Sequence, residues 1–165
     1  MKSCFFVLLV KHKKILGIDY GDFSIGLAVF DLENDFIYPL KTIFRHKANV
    51  LRASLREIVE IVLNEGICKI VVGLPLNFDG SEGNRVEKVK AFAKMLDTKV
   101  KSSVNENGIE PIEIEFQDER LTTVEAKQIL SERGVKISEQ KKVLDQVAAE
   151  IILGDYRQKL KARKE

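Results

Sequence analysis

The chain has 165 residues, 45% of them hydrophobic, which is the size and apolar content of one domain with one core. Its 27 Lys and Arg nearly cancel 25 Asp and Glu, so a net charge of +2 excludes capture of a polyanion by bulk charge and requires local patches instead. Two cysteines, Cys4 and Cys68, exclude a disulfide framework and a cysteine zinc site and fit a reducing compartment, the cytoplasm.

In chain order, Met1 to Lys14 imitates a signal peptide, with Lys2 ahead of the apolar run Cys4 to Val10. That run is very short, and Lys11, His12, Lys13 and Lys14 occupy the place of a cleavage site. Residues 1–13 are therefore read as an extension, an extra edge strand or a tail, ahead of a single domain over 14–165. No other segment has the roughly 18 to 20 apolar residues of a membrane helix.

Ile15 to Tyr20 and Ser24 to Asp31 are apolar and β-branched, and the turn between them centres on Gly21 and Asp22, so a hairpin is expected. Tyr38 to Phe44 supplies a third strand. Leu51, Leu55, Ile58, Val59 and Val62 recur at helical spacing over Asn49 to Glu65, with Gly66 as the stop. Lys69 to Leu74 is the continuous apolar run of a strand covered on both faces. Pro75 to Asn84, PLNFDGSEGN, reads as a mobile loop.

Asn84 with Glu87 forms a capping box that opens a helix through Val86, Val89, Phe92, Ala93 and Leu96. Ile112 to Phe116 alternates and predicts a strand with one apolar face. Thr122 with Glu125 is a second capping box, which puts Asp118 and Glu119 on the exit from that strand. A last helix runs from about Ser138 to Lys161. The order of elements describes an α/β layer fold with a mixed sheet.

Most of the acids are solvated surface, but position singles out a few. Asp19 lies in a hydrophobic strand, Asp118 and Glu119 at a strand exit, and Asp145 among Leu144, Val147, Ala148 and Ala149. An uncompensated charge is expensive in each place. Arg120 and Lys142 are the nearest neutralising partners. The alternative is a divalent cation: carboxylates without Cys or His are hard ligands suited to Mg2+ or Mn2+. Two such ions roughly 3.5 to 4 Å apart stabilise both the attacking and the departing oxygen of an in-line displacement at phosphorus. Gly21 lets a turn approach a phosphate, although turn chemistry alone accounts for an isolated glycine.

Four ordered motifs then resemble the YqgF/RuvX family. They are Ile18-Asp19-Tyr20-Gly21 with Ile25-Gly26, Val72 to Asn77 through Asp79-Gly80-Ser81-Glu82, Asp118 to Ala126, and Asp145 with Ala148-Ala149. The resemblance covers about Lys14 to Tyr156. It implies a ribonuclease H-like fold, a mixed sheet with helices on both faces, and a cytoplasmic, metal-dependent endonuclease. Its substrate would be precursor 16S rRNA or, on an older reading of the family, a branched DNA such as a Holliday junction.

Carried over by position, the resemblance marks Asp19, one acid of the pair Asp118-Glu119, and Asp145 as the catalytic set; strand alternation leaves the choice within the pair open, and Glu119 is favoured as the metal ligand, with Asp118 as a nearby catalytic acid. Gly21, Asn77, Arg120 and Lys142 are the expected substrate contacts, and the cofactor is Mg2+ or Mn2+, two ions. Asp22, Phe23 and Ser24 stand where the family commonly carries Thr or Ser and then basic residues, which bears on substrate affinity. The C-terminal basic run Arg157, Lys159, Lys161, Arg163 and Lys164 is read as a solvated helix end.

Two other classes compete. Actin-like phosphotransfer proteins open with a similar hairpin, but enclosing ATP takes a second full domain that this length lacks. A non-catalytic RNA-binding assembly factor would keep the fold without the hydrolysis.

Overall fold

In a computed structural model of the chain, the described residues are 13–45, 50–77, 79–120 and 122–163. The expectation for residues 1–13 lies outside them except at Lys13, as does Cys4. The strands are β1 (Lys14–Tyr20), β2 (Ser24–Asp31), β3 (Phe36–Phe44), β4 (Ile67–Leu74) and β5 (Glu113–Asp118). The helices are α1 (Val50–Asn64), α2 (Asn84–Glu106), α3 (Thr122–Glu132) and α4 (Ile137–Ala162). The strands form one mixed sheet in the order β3-β2-β1-β4-β5. β2 runs against both neighbours, and β1, β4 and β5 run parallel.

Strand alternation sends one set of side chains to each face. Leu16, Ile18, Ile25, Leu27, Val29, Ile70 and Val72 meet Leu55, Ile58 and Val62 of α1 and Val89, Phe92 and Leu96 of α2. Ile15, Ala28, Phe30 and Val71 meet Ala149, Ile152, Leu153 and Tyr156 of α4 on the other face. α3 covers α4 in turn, through Ala126 and Leu130 against Val147 and Ala148. The sheet is thus buried between two helical layers, and β4 carries the continuous apolar run such a strand needs.

Gly66, at φ 68°, ends α1 in the left-handed conformation expected of a glycine stop. The start of α2 differs from the expectation. Asn84 is its first helical residue, the cap position belongs to Gly83, and no side chain caps the helix there. The loop accounts for it: Gly83 packs beside the amide of Asn77, so the chain is already turned into the helix before Asn84. β5 extends to Asp118, beyond the alternating residues that announced it, and its Phe116 is exposed.

Candidate active site

The acids converge at the carboxyl ends of β1, β4 and β5, where parallel strands of open sheets present their ligands. Asp19 is the penultimate residue of β1 and points to the α4 face, as Ile15 and Gly17 do. Its register partner on β2 is Gly26. A β-carbon on Gly26 would lie 2.0 Å from the backbone oxygen of Asp145, so the missing side chain is what lets α4 rest on β2 at that level. Gly17 does the same one pleat away, under Leu153 and Ala149.

Asp145 is held from two sides. Ser24 Oγ donates a short hydrogen bond to Asp145 Oδ2. The next residue on α4, Gln146, donates through Nε2 to Thr42 Oγ1 at 3.1 Å, and Thr42 Oγ1 donates to the Lys142 carbonyl at 3.2 Å. The first half of α4 is thereby fastened to β2 and β3.

Glu119 follows β5 directly, and its N–H bonds the Leu74 carbonyl at 3.2 Å, continuing the ladder with β4. Only 7% of Glu119 is exposed. Its carboxylate lies over Gly73, with Oε2 2.1 Å from where a β-carbon would stand. Asp118 points elsewhere: Oδ2 accepts from Arg120 Nε at 2.8 Å and pairs with Arg120 Nη2 at 2.7 Å. The two neighbours at the strand exit therefore face different partners, Glu119 toward Asp19 and Asp118 toward Arg120.

Electrostatics follows from this crowding. Burial, then repulsion from Asp145, pushes the Asp19 carboxyl up to about 7, against a hydrogen bond with Glu119 and the field of Arg85. Burial, then repulsion from Asp19, pushes Glu119 up to about 8, again opposed by Arg85. A hydrogen bond between two carboxyl groups needs a proton on one of them, so Asp19 and Glu119 share one near neutral pH.

Among the described residues, no three His, Cys, Asp or Glu side chains are already gathered closely enough to hold one ion. The chemistry of the donor set still fits a hard divalent cation. It offers carboxylate oxygens only, and the raised carboxyls of Asp19 and Glu119 hold protons that a cation would replace. Asp19, Glu119 and Asp145 are the residues that would hold it.

The other expected contacts sit as follows. Gly21 N–H donates to the Ser24 carbonyl at 2.9 Å, and the Gly21 carbonyl accepts a short bond from Arg45, so local turn chemistry occupies this glycine. Asn77 builds its own loop, donating through Nδ2 to Ser81 Oγ at 2.9 Å. Lys142 is exposed on α4. Arg157 and Lys161 pair with Asp35, tying the far end of α4 to the turn between β2 and β3.

Sequence reasoning missed Ser24, Gly73 and Arg85 as parts of this site. A glycine inside an apolar strand was the available signal for Gly73. Arg85 was hidden between the residues of a supposed capping box.

A sequence profile of the RuvX family, described as Holliday junction resolvase, matches residues 13–159. A protein of Acetivibrio thermocellus named "Putative pre-16S rRNA nuclease" is 40% identical over 144 residues, covering 87% of this chain and 94% of its own. One of Chloroflexus aurantiacus with the same name is 38% identical, covering 86% and 84%. Among solved structures, Thermus thermophilus RuvC in complex with a Holliday junction substrate superposes with a TM-score of 0.50 at 14% identity, covering 89% of this chain and 96% of that one. At that identity the likeness concerns the fold alone.

Proposed function

This chain belongs to the RuvX family, and from that premise we propose that it is a divalent-metal-dependent endonuclease that hydrolyses phosphodiester bonds of precursor 16S rRNA in the cytoplasm. The observation that supports the chemistry is the hydrogen bond between buried Asp19 and Glu119, with Asp145 near enough to Asp19 to repel its charge. The names of the curated relatives support the rRNA substrate.

In this reading Asp19, Glu119 and Asp145 hold Mg2+ or Mn2+, which when bound supplies charge stabilisation at the reacting phosphorus and its oxygens. The chain's own residues do the rest. Ser24 orients the Asp145 carboxylate, and Gly26 and Gly73 admit the backbone of α4 and the side chain of Glu119. Asp19 and Glu119, which share a proton without metal, would release it to solvent where a cation took its place. Asp118 keeps Arg120 turned to the strand exit.

The test is incubation of the purified protein with precursor 16S rRNA and with a four-way DNA junction, each with Mg2+, with Mn2+ and with chelator. The expected result is rRNA cleavage that needs the metal. Metal-dependent cleavage of the junction alone would move the substrate to branched DNA, the reading favoured by the family's description. Salt-sensitive RNA binding with no cleavage in any condition would make the protein an assembly factor instead.

A further inference from the structure

Across β1 from the acids lies a second set of charges. Tyr20, the last residue of β1, packs toward α2 and stacks on Phe92 with ring centroids 4.2 Å apart. Arg45 lies over the outer face of the Tyr20 ring, 4.6 Å from its centroid, and donates to the Tyr20 hydroxyl at 3.1 Å. Arg85 and Lys88, on the first turns of α2, line a small niche with Tyr20, Val89 and Asp22. Lys88 Nζ bonds Asp22 Oδ1 at 2.9 Å.

The Asp22 carboxylate is thus the anion on which Lys88, Arg85 and Arg45 all act, and together they hold its carboxyl below the usual range. Its pairing with Lys88 is exposed on both sides, 58% and 56%, and an ion pair of that kind contributes little to stability. It can be exchanged at small cost. A phosphodiester brings the same charge and several acceptor oxygens, enough to engage an arginine fork and a lysine together.

The niche also has the right neighbour. The charge of Arg85 lowers the carboxyls of Asp19 and Glu119 as well as that of Asp22, so one cation's field reaches both the acids and the niche. Both clusters sit at the end of β1, the acids on its α4 side and the niche on its α2 side.

Resting on the nuclease reading, we propose that the niche lined by Arg85 and Lys88 is a subsite for a backbone phosphate beside the one that reacts, and that Asp22 occupies it as an internal anion until nucleic acid displaces it. Asp22 then sets affinity. It competes with substrate and keeps the lysine and arginine from ions too weak to displace it.

Binding of a fluorescently labelled single-stranded RNA, measured by anisotropy in chelator over a series of salt concentrations, tests this without turnover. Lys88→Ala is expected to weaken binding about tenfold, the lower end for a charged hydrogen bond. It should also flatten the dependence of log K on log salt by about 0.7, one phosphate's worth on a single strand. Asp22→Asn is expected to tighten binding about threefold, as removal of a nearby like charge in solvent does. In the double variant that gain should shrink, because the two side chains share one site. Thermal unfolding should stay within a few degrees of the parent for all three, since the pair is exposed.

Asp22→Asn and Lys88→Ala binding RNA with the parent's affinity and salt dependence would overturn the subsite. Cleavage of precursor rRNA by the parent would then leave the nuclease reading standing. A parent that neither binds nor cleaves would end both.

Discussion

The backbone carbonyl of Asp145 rests on Gly26, at a distance that leaves no room for even a methyl group. Because Gly26 is also the register partner of Asp19, this one contact sets the spacing between two acids that lie far apart in sequence. Gly26→Ala is therefore expected to cost about 1–3 kcal/mol, as overpacking a close contact does, and to reduce cleavage more than stability. Urea denaturation and initial rates, measured side by side, check it. Unchanged values in both would mean that α4 can shift without disturbing the site.

Asp19→Asn and Asp145→Asn should each lower cleavage by more than about 10²-fold, the loss seen when a charge-stabilising group leaves an active site. Neither should unfold the protein, because each removes a charge from a crowded acidic cluster. Mn2+ or Mg2+ should raise the melting temperature of the parent, since a ligand of the native state stabilises it by mass action. The Asn variants should lose most of that rise, and calorimetry with and without metal reads the difference.

The pair at the exit of β5 can be separated in the same way. Glu119→Gln is expected to abolish cleavage. Asp118→Asn, which breaks an exposed pair with Arg120, should retain most of the rate and change stability by less than about 1 kcal/mol. Equal losses in the two variants would show that Asp118 shares the role given to Glu119.

Metal-free stability should depend on pH with an unusual sign. Asp19 and Glu119 titrate above their ordinary 3.8 and 4.5, at about 7 and about 8. Between those limits the folded chain holds more protons than the unfolded one, so the stability they contribute is complete below about pH 4 and drains away as pH rises through about 8. Denaturant midpoints in chelator should therefore fall between pH 5 and pH 8.5, and Asp19→Asn should flatten the fall. Added metal should oppose it, since it replaces the protons.

Much of this architecture was legible from residue order. Each strand and helix expected between Ile15 and Lys161 is present, because apolar periodicity reports burial and burial is what the two helical layers impose. Asp19 and Asp145 stood out for the same reason, as charges among apolar neighbours. What stayed hidden is pairwise geometry. Gly26 resting against Asp145 joins residues far apart in the chain, and no local pattern encodes such a meeting. The start of α2 lies one residue earlier than the capping box implied, because the extended cap position falls on Gly83 and Asn84 is already helical. Arg85 was passed over because nothing in one dimension says that a helix begins beside two acids.

Asp19 stands on the first strand, and Asp145 on the last helix described. A ribosome delivers them in that order, so a copy still being synthesised carries the first acid long before the element that completes the set. In the proposed nuclease, hydrolytic competence therefore waits for α4, which carries the last of the three acids. On the nuclease reading, copies that end before α4 lack Asp145 and leave the RNA around them uncut, a safeguard that follows from chain order alone.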